Sequence, residues 1–459
     1  MRNMTLAKIA EVTEGELCLP EGCDAVKNKE IAGVVNDNRK IEKDFLFVPM
    51  VGARVDGHDF IPGVFKDGAM ATLSERTLDN PAGPYIIVKD TKVALKQIAT
   101  AYRMQLQIPL IGVIGSVGKT STKEMLASVL GTKFNVLKTD GNFNNEIGLP
   151  LTICRINDTH QVAVVEMGIS DFGEMHRLGE IAKPDMVVMT NIGQCHLEFL
   201  KDRDGILKAK TEVFEHMPKD GVVFLNGDDD KLNIADTLGL KKVFYGLGGQ
   251  QFSATDVTAE GVSLTKATFS AGGDVFDVEI PLPGAHNVMN ALAATAVGYE
   301  LGLTKEDVIK GLKNASTIAG RNNVITMRGV TIIDDCYNAN PVSMKASIEV
   351  LGRAPGKTIA VLGDMGELGE DERELHYGLG QVLEDNRIGT VFTVGPLSEE
   401  INNALQQKNS SCMSHHYDTV DAMLEDLLPL IRQGDTILVK ASHFMGFGKV
   451  VDAITERLK

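Results

Sequence analysis

The stretch Ile108-Pro109-Leu110-Ile111-Gly112-Val113-Ile114-Gly115-Ser116-Val117-Gly118-Lys119-Thr120-Ser121 decides the fold of this chain. Its first half is an apolar run rich in β-branched residues, which predicts a buried strand. The run ends in a glycine turn and opens into Lys123-Glu124-Met125-Leu126-Ala127-Ser128-Val129-Leu130, which has helical spacing. Strand, glycine loop and helix make a phosphate cradle: glycines let backbone N–H groups face an anion, and the helix N-terminus adds partial positive charge. Lys119 is placed to reach the β- and γ-phosphates of a nucleotide, and the Thr120 hydroxyl to bind Mg²⁺. The common pattern has a further glycine where this chain has Val113, so the match is to a shorter form, Gly115-x-x-Gly118-Lys119-Thr120. An ordinary strand-to-helix turn would use the same glycines. The Lys-Thr pair directly at the helix start favours phosphate.

A chain of 459 residues is too long for one core, and about three domains are expected. The formal net charge of −16 argues against nucleic acid or an anionic membrane as partner, because a phosphate surface would be repelled. It leaves room for an anionic small substrate held by a local cluster of Lys, Arg and backbone amides. The six cysteines are scattered without CxxC spacing, as expected of free thiols in a reducing compartment. Met1 to Glu11 interleaves charges with short apolar groups and does not look like a signal peptide. No apolar run approaches the roughly 20 residues of a membrane span. A cytoplasmic protein, and a monomer, is expected.

Before the loop, Met4 to Val12 has the spacing of a short helix, and Ile31–Val35 and Asp44–Pro49 those of strands in a small α/β unit. The stretch Gly52-Ala53-Arg54-Val55-Asp56-Gly57-His58-Asp59-Phe60 packs glycines, an Arg and a His together. That suits an anion or sugar contact, and a plain surface turn explains the glycines equally well. Ala94 to Gln107 is helical and leads to Pro109, a natural boundary.

After the loop, Asp140-Gly141-Asn142-Phe143-Asn144-Asn145-Glu146 is dense in amides. Val162–Glu166 is a buried strand ending in a carboxylate, which faces the ligand crevice if the strands are parallel. Glu166 is thus a Mg²⁺ candidate, with a strand-end ion pair as the alternative. Met186–Thr190 is a further strand and leads to His196 at the same edge. Asn287 and Asn290, three apart at the start of an Ala-rich helix, either cap it or meet a purine or ribose. Beyond Gly320-Arg321, Val330–Asp335 ends in two carboxylates, followed by Tyr337-Asn338-Ala339-Asn340-Pro341, with Pro341 in the first helical turn. Strands at Lys357–Gly363, Thr390–Val394 and Asp435–Lys440 alternate with helices, which predicts a doubly wound α/β unit.

These motifs, in this order, resemble the Mur ligases, the ATP-dependent amide-forming enzymes of peptidoglycan precursor synthesis. The resemblance covers essentially the whole chain. It rests on the short loop, Gly141–Asn145, Glu166-Met167-Gly168, Asn191-Ile192 with His196, and His286-Asn287-x-x-Asn290. Asp335–Pro341, Gly363-Asp364-Met365-Gly366-Glu367-Leu368-Gly369 and the Gly52–Phe60 stretch are similar to the branch that adds D-alanyl-D-alanine to UDP-N-acetylmuramoyl-tripeptide. The chain departs from the family pattern at Asn36-Asp37-Asn38-Arg39 and at Lys440-Ala441-Ser442-His443, where an arginine is usual in place of His443.

The resemblance implies an α/β chain of three domains. Residues 1–107 would bind the UDP end of the substrate, residues 108–319 would form a P-loop-type ATPase domain with a mainly parallel sheet, and residues 320–459 a Rossmann-like doubly wound ligase domain. It further implies ATP and two Mg²⁺ ions. Gly115, Ser116, Val117, Gly118, Lys119, Thr120, Ser121, Asn287, Asn290, Arg321 and Asp335 would hold the nucleotide. Thr120 and Glu166 would hold one Mg²⁺, and His196 and a carbamylated Lys210 the other. Lys119, Lys210 and His196 would be catalytic. Arg39, Asp56, Gly57, His58, Asn142, Asn144, Asn145, Asn338, Asn340, Lys440 and Ser442 would contact substrate. Residue type alone makes Lys208 and Lys210 ordinary solvated lysines; a carbamylated Lys210 needs a lowered pKa, for which like charge from Lys119 and the metals is the expected cause. The alternatives are a sister ligase adding a single amino acid, which the Tyr337–Pro341 motif disfavours, and a nucleotide sensor or motor-type ATPase, which would not need Glu166, His196 and Lys210 together.

Overall fold

The computed structural model describes residues 1–407 and 410–459. Its strands form three separate sheets. The first contains β1 (Glu16–Cys18), β2 (Gly33–Val35), β3 (Phe45–Phe47), β4 (Ala71–Ser74) and β5 (Tyr85–Ile87), in the order β1-β5-β4-β3-β2. The second contains β6 (Leu110–Ile114), β7 (Val136–Lys138), β8 (Val162–Glu166), β9 (Met186–Met189), β10 (Val222–Asn226), β11 (Lys241–Gly246), β12 (Phe252–Glu260), β13 (Leu264–Ala271) and β14 (Asp274–Ile280). Its order is β14-β13-β12-β11-β10-β9-β6-β8-β7. The third contains β15 (Asn323–Met327), β16 (Val330–Asp334), β17 (Thr358–Gly363), β18 (Thr390–Val394), β19 (Met413–Tyr417) and β20 (Thr436–Lys440), ordered β15-β16-β20-β17-β18-β19.

From β7 to β12 every pairing in the central sheet is parallel. Alternate residues of these strands enter two cores: Ile114, Val165 and Leu225 on one face, Val113, Val164 and Phe224 on the other. Burial on both faces is why the strands read as continuous apolar runs. The third sheet behaves likewise, with Ile333, Leu362 and Leu438 on one face and Ile332, Val361 and Ile437 on the other. Helices therefore cover both faces, as the doubly wound reading expects.

The structure departs from the sequence reading in places. β12, β13 and β14 form an antiparallel meander over 252–280, which that reading did not assign. Its signal is present as a period-2 alternation of buried and exposed residues with a turn at Gly272-Gly273. The helix expected at Ala94–Gln107 runs Thr91–Arg103, because Asp90 caps it through the N–H groups of Lys92 and Val93. The helix after the glycine loop begins at Lys119. No helix among the described residues is long and apolar enough to cross a membrane.

The domains are not equally joined. Met4, Leu46, Ile98 and Tyr102 share one apolar cluster with Leu149, Val165 and Leu178 of the central unit. Arg103, itself buried, donates from Nε to Ala182 O at 2.8 Å and from its terminal nitrogen to Asp185 Oδ2 at 2.8 Å. The two clusters of the C-terminal unit take in one buried residue of the central one, Val262. We expect the first two units to unfold in one transition. Arg103→Met should destabilise both by about 2 kcal/mol, the scale of hydrogen bonds to a charged group. Calorimetry resolving an early, separate N-terminal transition would contradict this.

Candidate active site

The loop after β6 is held from both sides by the strands beside it. On one side, Thr190 and Asn191 follow β9. Thr190 Oγ1 donates to Val117 O at 2.6 Å, Val117 N donates to Asn191 Oδ1 at 3.0 Å, and Asn191 Nδ2 donates back to Val117 O at 3.0 Å. Gly115 is required by the close approach of Thr190, since a Cβ there would lie 1.9 Å from Thr190 Oγ1. Gly118 has φ +84°, a left-handed conformation that lets the chain turn into helix Lys119–Leu130. Sequence reasoning quoted Asn191 only as part of a family motif and gave Thr190 no role; for Thr190 the available signal was its position at the end of a strand beside β6.

On the other side stands Glu166, at the end of β8 and 1% exposed. Thr120 Oγ1 donates to Glu166 Oε2 at 2.8 Å, and Asn144 Nδ2 donates to Oε1 at 2.8 Å. Hard oxygen atoms of a hydroxyl and a carboxylate, adjacent to a phosphate loop, suit Mg²⁺. Lys119 Nζ donates to Gly115 O at 2.8 Å, folded over its own loop. The helix of Asn287 and Asn290 has Gly284 at its cap position, so neither asparagine caps it. Instead Asn290 Oδ1 accepts from Thr122 Oγ1 at 2.9 Å, and Asn287 Oδ1 accepts from Asn290 Nδ2 at 3.1 Å.

These groups line a cavity of about 650 Å³ whose other wall is the C-terminal unit. The cavity brings together Ser116 to Ser121, Asn144, Asn145, Glu166, His196 and Asn290 with Arg321, Asp335, Asn338, Asn340 and Lys440. Arg321 lies with its guanidinium carbon 4.0 Å from the centre of the Tyr337 ring, which also meets the His443 ring at 5.3 Å between centres. His443, where the family pattern has arginine, thus packs at a tilt against the Tyr337 ring. Asp335 Oδ2 accepts from Lys440 Nζ at 2.5 Å and Ser347 Oγ at 2.6 Å, while Oδ1 accepts from Asn322 N at 3.0 Å. Asn340 Oδ1 caps helix Pro341–Leu351 by accepting from Ser343 N, and Pro341 stands in its first turn.

Other predicted site residues lie outside the cavity lining. Gly115 supports the loop from beneath, and Asn287 lines a small neighbouring hollow with Arg321. Asn142 is exposed. Ser442 is buried, accepting from Gly366 N and donating to Ala339 O. Arg39 is largely exposed and makes a two-pronged contact with Asp37, which pulls the Asp37 carboxyl down to about 2. His58 is buried with both ring nitrogens occupied: Nδ1 lies 2.6 Å from Asp56 Oδ1, and Nε2 accepts from Glu75 N at 3.2 Å. Its first role is therefore to fix the Asp56-Gly57 turn. This N-terminal surface approaches the Asn-rich loop, with Lys40 Nζ 5.7 Å from the centre of the Phe143 ring.

Lys210 is buried, on helix Arg203–Thr211, whereas Lys208 is exposed. The picture of two solvated lysines does not hold. Burial lowers the Lys210 pKa to about 8, with Cys195 opposing and Lys119 adding to the fall. Desolvation, rather than the expected like charge, is the larger cause. Among the described residues, no hydrogen-bonding or ion-pair partner reaches its amine.

Models of three Mur ligase segments match the chain: "Mur ligase family, catalytic domain" over residues 30–106, "Mur ligase middle domain" over 113–298, and "Mur ligase, glutamate ligase domain" over 320–443. The UDP-N-acetylmuramoyl-tripeptide–D-alanyl-D-alanine ligase of Bacillus subtilis is 40% identical over 99% of both chains, and that of Escherichia coli 35% over 99% of both. The chain belongs to the Mur ligase family. Among solved structures, MurF from Acinetobacter baumannii superposes with a TM-score of 0.89 at 31% identity, covering 99% of each chain. MurF ligase from Thermotoga maritima, solved with ADP, gives 0.82 at 32% identity, covering 93% of this chain and 97% of that one. As a Mur ligase, the protein is an ATP-dependent ligase.

The contact at Gly115 generates a test. Gly115→Ala forces a methyl group onto Thr190 Oγ1 and should weaken binding of a non-hydrolysable ATP analogue about tenfold or more, on the 1–3 kcal/mol scale of overpacking. Adding Thr190→Ala should restore part of the loss. Unchanged calorimetric affinity in Gly115→Ala would show that the loop tolerates displacement.

Proposed function

We propose that this protein joins D-alanyl-D-alanine to UDP-N-acetylmuramoyl-tripeptide at the expense of ATP. The observation carrying this reading is the cavity itself. Lys119, Thr120 and Glu166 meet on its central wall, and Arg321, Asp335, Asn338 and Lys440 on its C-terminal wall. The near full-length likeness to the Bacillus subtilis and Escherichia coli ligases supplies the substrates.

Residues 1–107 hold the UDP end through Arg39 and the Asp56-Gly57 turn kept in place by His58. From there the tripeptide passes the Asn142–Asn145 loop to reach the cavity. Residues 108–319 hold ATP, with loop N–H groups on the phosphates and Lys119 turned from Gly115 O to the γ-phosphate. Residues 320–459 bring Arg321 to the nucleotide and Asn338, Asn340 and Lys440 to the incoming dipeptide. Thr120 and Glu166 would hold one Mg²⁺, and His196 and a carbamylated Lys210 a second. When bound, the ions offset phosphate charge.

A terminal carboxylate oxygen of the tripeptide attacks the γ-phosphorus, and the bond to the ADP oxygen breaks. The amine of D-alanyl-D-alanine then attacks the acyl carbon, a proton leaves the nitrogen, and inorganic phosphate departs. Two walls from two domains exclude water from the acyl phosphate.

Phosphate release should require the UDP-tripeptide, Mg²⁺ and the D,D-dipeptide together. Equal turnover with single L-amino acids would replace this reading with the sister-ligase one. Lys210 supplies a second test, since carbamylation joins a neutral amine to CO₂ with release of a proton. Removing CO₂ should slow the enzyme reversibly. Recovery on CO₂ addition should fall about tenfold per unit as the pH drops below about 8, following the neutral fraction of an amine whose pKa burial has lowered. Lys210→Ala should be nearly inactive and partly rescued by formate or acetate, with Lys208→Ala much less affected. No rescue, together with no ¹³C carbamate signal after exposure to labelled CO₂, would remove the carbamate from the mechanism.

A further inference from the structure

The motif Gly363–Gly369 contributes no residue to the cavity lining. Most of it is anchored inside the C-terminal unit. Asp364 Oδ1 accepts from Leu397 N at 3.1 Å and Ser398 N at 2.7 Å. Met365 N donates to His376 Nε2 at 2.9 Å, and Gly366 N donates to Ser442 Oγ at 2.9 Å. Met365 and Leu368 are buried. What this framework leaves outward is Glu367, whose side chain is 54% exposed. Its Oε2 lies 2.5 Å from Nδ1 of His196, which belongs to the central unit and lines the cavity. The two atoms are within hydrogen-bonding distance but form no straight hydrogen bond as they stand. No other described group serves that buried nitrogen. The same seam brings Gly369 close to Glu198 N, 3.8 Å from where its Cβ would stand.

We propose that Glu367 is a positioning residue for His196, carried to it across the domain seam. Once turned into line with Nδ1, the carboxylate accepts a hydrogen bond from it and so selects the tautomer protonated there. That leaves the Nε2 lone pair for the cavity. A histidine that binds a metal through one ring nitrogen is ordinarily fixed by a carboxylate or carbonyl on the other. Here the fixing carboxylate belongs to a different domain from the ligand. The His196 side of the Mg²⁺ cluster is therefore complete only when the C-terminal unit has closed. This inference rests on the reading that His196 serves the ATP site.

The rest of the seam is consistent with such a role. The motif's internal hydrogen bonds hold Glu367 from behind, independent of any nucleotide. Gly366, beside it, packs near Phe444, and Ser442 ties the motif to Ala339 beside the Asn338–Asn340 segment of the cavity wall. The loop that carries Glu367 is thus tied through Ser442 to the wall assigned to the dipeptide.

The test uses Mn²⁺ in place of Mg²⁺, read by electron paramagnetic resonance on the full-length enzyme with a non-hydrolysable ATP analogue and the UDP-tripeptide. Glu367→Gln and Glu367→Ala should weaken one of two Mn²⁺ sites about 10–100-fold, the usual effect of losing such a supporting group. Glu367→Asp should recover part of it. The thermal unfolding midpoint of the ligand-free protein should stay at the wild-type value, because the Glu367 side chain is 54% exposed. His196→Ala should lose the same site, and Glu367→Ala with His196→Ala should be no worse than His196→Ala alone. If His196→Ala loses the site while Glu367→Ala keeps it, or if the two losses add, the positioning role is overturned and the ATP-site reading stands. If His196→Ala keeps both sites, the reading of His196 as a ligand fails first and the proposal with it.

Discussion

The parallel register of β6 with its two neighbours is the constraint on which the site depends. Val113 pairs with Glu166 on one side, and Ile114 pairs with Met189 on the other. The three strands therefore end together, and the loop at Gly115 emerges between a carboxylate and the Thr190-Asn191 pair. Thr120 meets Glu166 because of this register. A shift of one residue in β8 would turn Glu166 to the opposite face and bring an apolar side chain to the helix start. The loop's own glycines allow its shape, but the segment after β9 holds it through Val117 and Ser116, and Glu166 after β8 holds Thr120 at the helix start.

The distribution of apolar contact decides what can move. The N-terminal and central units share one core, reinforced by Arg103 and by Tyr102, whose hydroxyl donates to Ile156 O at 2.6 Å. Sliding one against the other would expose that core. The C-terminal unit meets the central one along the cavity through polar side chains, and among the described residues its apolar clusters take in one buried residue of the central unit, Val262. Such a seam opens at little hydrophobic cost. The moving part is thus the part carrying Arg321, Asp335 and Glu367, and the fixed part is the one carrying the phosphate loop. This asymmetry is what the proposed assembly of the site by closure would use.

What was legible in the sequence was contiguous in it. The phosphate loop, the strand ending at Glu166 and the helix opened by Pro341 each declare themselves within a dozen residues. The doubly wound C-terminal unit follows from alternating apolar runs. What was not legible lies in pairings distant along the chain. Lys440 meets Asp335 from the neighbouring parallel strand, and Arg321 finds Tyr337 through the turn that joins Gly320 O to Tyr337 N. Polar residues near the site also have local duties that residue type does not disclose. Asn340 caps a helix, Ser442 ties two loops, and His58 is enclosed by Asp56 and Glu75. Of the two readings left open for Asn287 and Asn290, capping fails, because the cap position is Gly284 and both are buried along the helix side.

Among the described residues three lysines, Lys123, Lys210 and Lys440, are almost fully buried, and their surroundings separate them. Lys123 donates to Thr139 O at 2.7 Å and lies 3.1 Å from the Glu124 carboxylate. Lys440 is bound to the Asp335 carboxylate and to Asn338 O. In both, the charge removed from water is returned to a carboxylate and a carbonyl, the condition under which a buried ammonium is tolerated. Lys210, 1% exposed, has no such partner among the described residues and has Lys119 as a like-charged neighbour. A protonated amine there is therefore disfavoured, and the fall of its pKa to about 8 expresses that cost. Two states relieve it, the neutral amine and an anion able to share cations with its surroundings. The first is the form that reacts with CO₂, and the second is the product of that reaction. Burial thus raises the share of the neutral amine, the form with which the proposed carbamate would begin, and that carbamate would be favoured in turn only with cations bound beside it.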